Sequence, residues 1–351
     1  MNLSNRQAAA PRDLSLSSRL EESELIYRAR LEHLVDVGEP LVLISQVHRS
    51  GGTLLNRLLQ GHPECHGHAH ELKIGHPHKR DWPTLALDAP DEWFSILYEK
   101  HLGRHLREGY HKWYQGDGDQ ETFPFCFALG LQEAIFEQCV TSRRIERERD
   151  VLDCYFTSYF NAWLDNHNLY TGPKKAVIAF APRMVMKLDN LERFFSAYPD
   201  GTLISIVRDP GGWYDSIRKR HPELFQDFDE AALTPWRESA EAALDAAGRW
   251  GDRVVLLTYE QLVLETEETM QRLADRIGIS MSPVLLTPTF NGRPIRANSS
   301  ALVEGTGILS ERAIGYRGAL GRDEVARIRG LGAGLYERAA ALSTVAAERS
   351  A

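Results

Sequence analysis

The chain has 351 residues, 43% of them hydrophobic, and a formal net charge of −8. That is ample for a full core, in one large domain or one domain with an insertion. The acidic balance argues against a bulk nucleic-acid binder, and no apolar stretch reaches the length of a membrane span. Cys65, Cys126, Cys139 and Cys154 form no Cys-x-x-Cys pair and no disulfide-rich pattern, and the N-terminus has no apolar signal core. A cytoplasmic setting fits these features.

Residues 1–38 read as an N-terminal extension, polar and Ser-rich at first, then helical from Leu20 to Val37. Leu25, Ala29, Leu31 and Leu34 fall on or near one stripe there. Leu41 to Ile44 is an unbroken apolar run, the pattern of a strand covered on both faces. A basic, glycine-containing turn follows, and then a helix with Leu54, Leu55, Leu58 and Leu59 on one stripe, ended by Gly61 and Pro63. A helix start offers free backbone N–H groups and a positive dipole end, so it is an anion site. Gly51 and Gly52 let the backbone approach a ligand, Arg49 adds a fixed charge, and Ser50 and Thr53 add hydroxyls. The turn looks like a phosphate loop, but the Gly-Lys-Ser/Thr ending that holds a nucleoside triphosphate with magnesium is absent.

The next stretch is rich in histidine: His62, His66, His68, His70, His76 and His78, with Cys65 and Glu71 among them. His66, His68 and His70 alternate, so on a strand they share a face. No His-Glu-x-x-His and no paired cysteines accompany them, so no metal is assigned. Residues 76–171 read as a mostly helical, aromatic-rich insertion with a loop near Gly116 to Gly118. Most of its aromatics are expected in helix core, and some could line a pocket. Ala176 to Phe180 and Met184 to Leu188 read as strands. Lys187, at the end of the second, could face a site or simply be a surface lysine.

The segment Gly201 to Pro222 repeats the pattern of strand, turn and helix. Leu203, Ile204, Ile206 and Val207 form the strand, Arg208 stands at its carboxyl end, and Asp209-Pro210-Gly211-Gly212 makes the turn. Ligands of open parallel sheets bind outside the carboxyl ends of strands. Ser216 sits far enough into the helix to face the same anion as Arg208, and Arg220 follows it on the same helix face. Two such sites on one parallel sheet suggest a ligand with two separated anionic groups. Further on come a strand and helix over Val254 to Val263, an amphipathic helix carrying Met270, Leu273, Ala274 and Ile277, and a polar, basic loop over Asn291 to Leu309. The C-terminal helix, read within 321–351, directs Val325, Ile328, Leu331 and Leu335 inward.

The segments RSGGT and RDPGGWYDS, with VVLLTYEQLV after them, resemble the sulfotransferases that use 3′-phosphoadenosine 5′-phosphosulfate (PAPS). The resemblance covers roughly residues 40–75 and 176–280. It implies an α/β fold: a central, mostly parallel sheet flanked by helices, like that of P-loop NTPases. The domain would run over 39–320, with 76–171 as an acceptor-side insertion. Arg49, Ser50, Gly51, Gly52, Thr53 and Leu54 would cradle the 5′-phosphosulfate, and Arg208 and Ser216 would hold the 3′-phosphate. Arg220 matches a further arginine of the tyrosylprotein and carbohydrate branches, and Tyr259 would lie near the adenine.

Arg49 stands where cytosolic small-molecule sulfotransferases carry lysine, as in the tyrosylprotein branch. That branch has a catalytic glutamate a short way beyond the loop, and Glu71 occupies the matching place. Glu71 is therefore the candidate general base. His68 or His70 is the alternative, with Glu71 orienting it, and His70 is kept among the catalytic candidates. A late loop folds over the cofactor in the family. Arg293, Arg296, Ser299 and Ser300 are the candidates here, and Tyr316 and Arg317 could help close the site. Ser299 or Ser300 could then share with Arg49 the charge that grows on the leaving oxygen. The implied reaction moves a sulfuryl group from PAPS to a hydroxyl or amine of a small-molecule or carbohydrate acceptor, leaving adenosine 3′,5′-bisphosphate. A P-loop nucleotide kinase or NTPase, or a non-catalytic nucleotide-binding protein of the same fold, are the alternatives.

Overall fold

Leu41–Ile44 (β1) is wholly buried and has a parallel neighbour on each side. The structure, a computed structural model, describes residues 16–75, 81–100, 102, 106, 109–112, 121–223, 229–295, 308 and 315–343. The other strands are Cys65–Glu71 (β2), Tyr110–Lys112 (β3), Glu121–Phe123 (β4), Ala176–Phe180 (β5), Thr202–Val207 (β6), Val254–Thr258 (β7), Thr289–Phe290 (β8) and Arg293–Pro294 (β9). The main sheet has the order β2-β5-β1-β6-β7, with every adjacent pair parallel. β3–β4 and β8–β9 are small antiparallel hairpins.

The continuous apolar runs follow from burial on both faces. Leu41 and Leu43 pack into one core and Val42 and Ile44 into the other. The second core holds Leu54, Leu55, Leu58 and Leu59 of the helix Gly52–Gln60. The first holds the helix Glu148–Ala162, with Tyr155, Phe156, Tyr159 and Phe160 all buried. The expected α/β architecture is therefore present, and these aromatics are indeed helix core.

Three elements differ from the sequence reading. The N-terminal helix is Leu16–Glu32 and stops short of Val37. The Val35 N–H donates to Asn161 Oδ1 (3.0 Å) and the Val37 N–H to Thr157 Oγ1 (3.0 Å), so this stretch docks extended on the helix Glu148–Ala162. Met184–Met186 is a 3-10 turn, not a strand: Arg183 is left-handed (φ 67°), and Ser45 Oγ accepts the Val185 N–H (2.9 Å). The hairpin β3–β4 lies in a segment read as helical.

Cys139 and Cys154 form a disulfide (Cα–Cα 5.5 Å) that ties the helix Leu129–Ser142 to Glu148–Ala162. Cys65 and Cys126 are free. A separation of 15 residues across a helix–helix connection carries no recognisable motif. A thiol-reactive reagent in denaturant should label only Cys65 and Cys126 before reduction and all four cysteines after it. Closing a loop of this length stabilises by about 3 kcal/mol in the chain-entropy view. Reduction should lower the unfolding free energy by about that amount in a denaturant titration.

Candidate active site

The carboxyl ends of β1 and β6 lie side by side, and each leads into a turn and a helix. After β1 the turn runs through Arg49 (φ 70°) and Gly51 (φ 102°) into the helix Gly52–Gln60. A Cβ on Gly51 would come within 2.6 Å of the Tyr259 ring, and one on Gly52 would overlap the Gln46 amide and the Phe180 ring. Only glycine fits at either position. Side chains hold the turn from several sides. The Trp213 indole N–H donates to the His48 carbonyl (2.9 Å), and the Val47 N–H to Ser239 Oγ (2.8 Å). Arg183 Nε donates to His48 Nδ1 (3.1 Å). Ser50 Oγ and both amide atoms of Gln46 are buried without a hydrogen-bond partner. Buried orphans of this kind call for a ligand or ordered water.

After β6, Asp209 caps the helix Pro210–Arg220 by accepting the N–H groups of Gly211 (2.9 Å) and Gly212 (3.2 Å). Arg208 is buried, with its guanidinium 4.2 Å from the centre of the Tyr259 ring. Arg208 Nη1 donates to the Arg49 carbonyl (3.0 Å), and Arg49 Nε donates to Ser216 Oγ (3.1 Å). Arg49, Arg208, Ser216, Tyr259, Ser50, Gly51 and Gly52 thus meet in one place. Thr53 and Leu54 start the adjoining helix.

Glu260, missed from the sequence, supports this turn. It accepts the Asp209 N–H (3.3 Å) and the Tyr336 hydroxyl of the C-terminal helix Arg322–Ala341 (3.0 Å), and burial raises its pKa. Its place in Tyr-Glu-x-Leu, beside Tyr259, was the available signal. Arg220 is exposed on the last turn of its helix. Arg293 is exposed on β9. Arg296, Ser299 and Ser300 lie outside the described residues, as do the side chains of Tyr316 and Arg317 in the turn Gly315–Gly318. Lys187 is a surface lysine, 60% exposed and paired with Asp81 (2.5 Å).

β2 approaches from the edge of the sheet. Gly67 pairs with Ile178 and Glu71 with Phe180, so β2 carries two extra residues across this step. The bulge places Glu71 beside Phe180, whose ring packs at Gly52. Glu71 is half exposed, 3.7 Å from the Lys73 ammonium. His68 and His70 lie buried behind it. The carboxylate that holds His68 is Glu99 (2.8 Å), not Glu71. His66 stacks on Phe160 (5.0 Å between centroids), and burial lowers its pKa to about 3. His62 bonds the Ser280 carbonyl (2.9 Å). His76 and His78 lie outside the described residues.

The centre of the parallel sheet thus carries two adjacent turns joined through Arg49, Arg208 and Ser216. The sulfotransferase family profile matches residues 40–283, and the chain belongs to that family. It is accordingly a transferase enzyme, acting by sulfuryl transfer. Among solved structures, the sulfotransferase domain from the curacin biosynthetic pathway is 16% identical, with a TM-score of 0.46 over 83% of this chain and 96% of that one. The sulfotransferase domain of the Synechococcus PCC 7002 olefin synthase is 18% identical, with a TM-score of 0.44 over 86% and 98%. Retinol dehydratase, solved with androsterone and inactive cofactor PAP, is 13% identical, with a TM-score of 0.36 over 88% and 86%. No curated protein matches. Among the described residues no helix is long and apolar enough to cross a membrane.

The buried, neutral His66 gives a signed pH prediction. Its pKa is depressed in the folded state, so the unfolded chain binds the proton more readily between about pH 3 and 6.5. The stability tied to neutral His66 is complete above pH 6.5 and is lost as pH falls toward 3. His66→Phe keeps a ring to stack on Phe160 and removes the titration. Its melting temperature should therefore fall less than the wild type's between pH 7 and pH 4. Parallel curves would show that His66 is not held neutral.

Proposed function

We propose that the protein transfers the sulfuryl group of PAPS to a hydroxyl or amine of a small-molecule or carbohydrate acceptor. The observation that carries this reading is the joining of Arg49, Arg208 and Ser216 at the carboxyl ends of adjacent strands. The orphaned Ser50 hydroxyl and the glycine-lined cradle over Tyr259 suit a nucleotide with phosphate groups at two positions. When bound, PAPS supplies an activated sulfuryl group on a phosphate leaving group.

The chain's own groups then have defined tasks. The helix-start N–H groups and Ser50 bind the 5′ side. Arg208 and Ser216 bind the 3′-phosphate, and Tyr259 offers its ring to the base. Arg49 reaches Ser216, which supports a role for it toward both anionic groups. Preorganised donors of this kind stabilise charge as it develops on the leaving oxygen. Glu71 takes the acceptor proton. It lies two strand positions from β1, about 10 Å at ordinary strand spacing, and its carboxylate opens to the solvent side, where an acceptor can enter. A kinase or NTPase reading lacks the lysine and hydroxyl that hold a triphosphate with magnesium. A non-catalytic reading leaves Glu71 without a task.

Adenosine 3′,5′-bisphosphate should raise the melting temperature without magnesium, because a ligand that binds only the folded state stabilises it. Arg208→Ala should weaken that binding at least tenfold, about 1.4 kcal/mol. Glu71→Gln should leave the affinity unchanged and cut transfer by roughly 100-fold or more, the usual weight of a general base. A shift seen only with ATP and magnesium would turn the assignment toward a kinase. Full transfer by Glu71→Gln would remove Glu71 as the base.

A further inference from the structure

Glu99 is fully buried, and no sequence motif marks it, yet at least four polar groups of the described residues converge on it. Tyr155 donates its hydroxyl to Oε1 (2.7 Å), and the Lys73 backbone N–H donates to Oε2 (2.8 Å). His68 Nε2 lies 2.8 Å from Oε1, and His70 Nδ1 lies 3.8 Å from Oε2. Burial and Glu99 itself raise the Tyr155 pKa well above its ordinary value, so its hydroxyl stays a donor.

The ring nitrogens can be assigned from their partners. His68 Nδ1 lies 2.8 Å from the His70 carbonyl, which can only accept, so Nδ1 carries a proton. His70 Nδ1 likewise donates to the Glu71 carbonyl (3.0 Å). With Nδ1 of His68 already protonated, Nε2 and Oε1 would face each other lone pair to lone pair unless a cation lies between them. A zinc ion would hold two such ligands about 3.3 Å apart, given bonds near 2 Å in a tetrahedral site. The observed 2.8 Å is the separation of a hydrogen bond.

We propose that Glu99 and His68 hold a single proton between them, and that this buried pair positions the bulge carrying Glu71. The network grips the bulge on both sides of Glu71: at the His70 carbonyl, at the Glu71 carbonyl through His70, and at the Lys73 N–H. The Tyr159 ring, stacked on His68 (4.3 Å between centroids), and Tyr155 bring the helix Glu148–Ala162 into the same grip. Glu99 is thus a positioning residue that acts through backbone, without touching the reacting groups. The inference rests on the assignment of Glu71 as base only for its consequence, since the proton count stands on geometry alone.

The test is proton and nitrogen NMR on the full chain with labelled histidine. The wild type should show a far-downfield, slowly exchanging proton coupled to His68 Nε2. Glu99→Gln keeps an acceptor for the Lys73 N–H and a donor toward His68, so the fold is preserved while the shared proton is lost. In this variant the downfield signal should vanish, and the amide signals of His70, Glu71 and Lys73 should shift. Affinity for adenosine 3′,5′-bisphosphate should stay within twofold of wild type. Absence of the signal in the wild type overturns the proposal, as does its appearance only after a chelator has removed a bound metal. Unchanged amides in Glu99→Gln overturn the positioning role. If Glu71→Gln retains full transfer, the base assignment fails, yet the downfield proton remains, so the two failures are told apart.

Discussion

The site depends on the parallel pairing of β1 with β6, which brings Val42, Leu43 and Ile44 beside Thr202, Leu203 and Ile204. From β1 the chain first moves to one side, building β2 and β5, and then crosses to the other, building β6 and β7. The strand order therefore reverses between β1 and β6. At such a point the connections leave in opposite directions and open a crevice at the carboxyl ends of the strands. Two helix starts face that crevice. The helix Gly52–Gln60 begins there with no side-chain cap on its backbone N–H groups, whereas Asp209 already accepts those of Gly211 and Gly212. Topology thus brings the two turns together at one crevice before any side chain is counted.

The side chains make the crevice rigid. The Trp213 and Trp236 indoles each donate to a turn carbonyl, of His48 and of Arg208. Arg208 in turn donates to the Arg49 carbonyl, so one turn braces the other. Arg49 and Arg183 both adopt left-handed backbone, which costs a non-glycine residue about 1 kcal/mol or more. The surrounding bonds hold these conformations in place, and both arginines lie at the crevice rather than elsewhere in the chain. Glu260 and Tyr336 extend the bracing to the C-terminal helix, where Gly332 packs closely on Pro210.

Legibility from sequence followed the range of the interactions. β1, β6 and β7 were readable because burial on both faces leaves an unbroken apolar run. The two turns were readable because glycine, proline and arginine are concentrated there. Glu99 was not readable, because its partners lie on two stretches far from it in sequence, His68 and Lys73 at β2 and Tyr155 on the helix Glu148–Ala162. The Cys139–Cys154 link was hidden because its spacing carries no recognisable motif. Met184–Met186 has the composition of a strand, but Ser45, far away in sequence, takes its backbone N–H and turns it. Glu71 could be singled out through the family resemblance, whereas the bulge that carries it needed the register of β2 against β5.

That bulge explains why the edge of the sheet is built so heavily. An edge strand has a neighbour on one side only, and two extra residues remove part of that pairing as well. The stretch from His68 to Lys73 keeps the Leu72 N–H on the Phe180 carbonyl (2.7 Å), but the bulge interrupts the regular ladder before it. The buried histidines and Glu99 supply further hydrogen bonds to this stretch. Two His rings donate to backbone carbonyls, and a carboxylate accepts a backbone N–H. A carboxylate in the role proposed for Glu71 needs its orientation fixed while its charged end stays open to the acceptor. An ordinary central strand would bury it, and an unsupported edge would let it drift. A bulged edge strand, pinned from behind by polar side chains, meets both demands. The burial of the histidines behind a half-exposed Glu71 is what that division of labour requires.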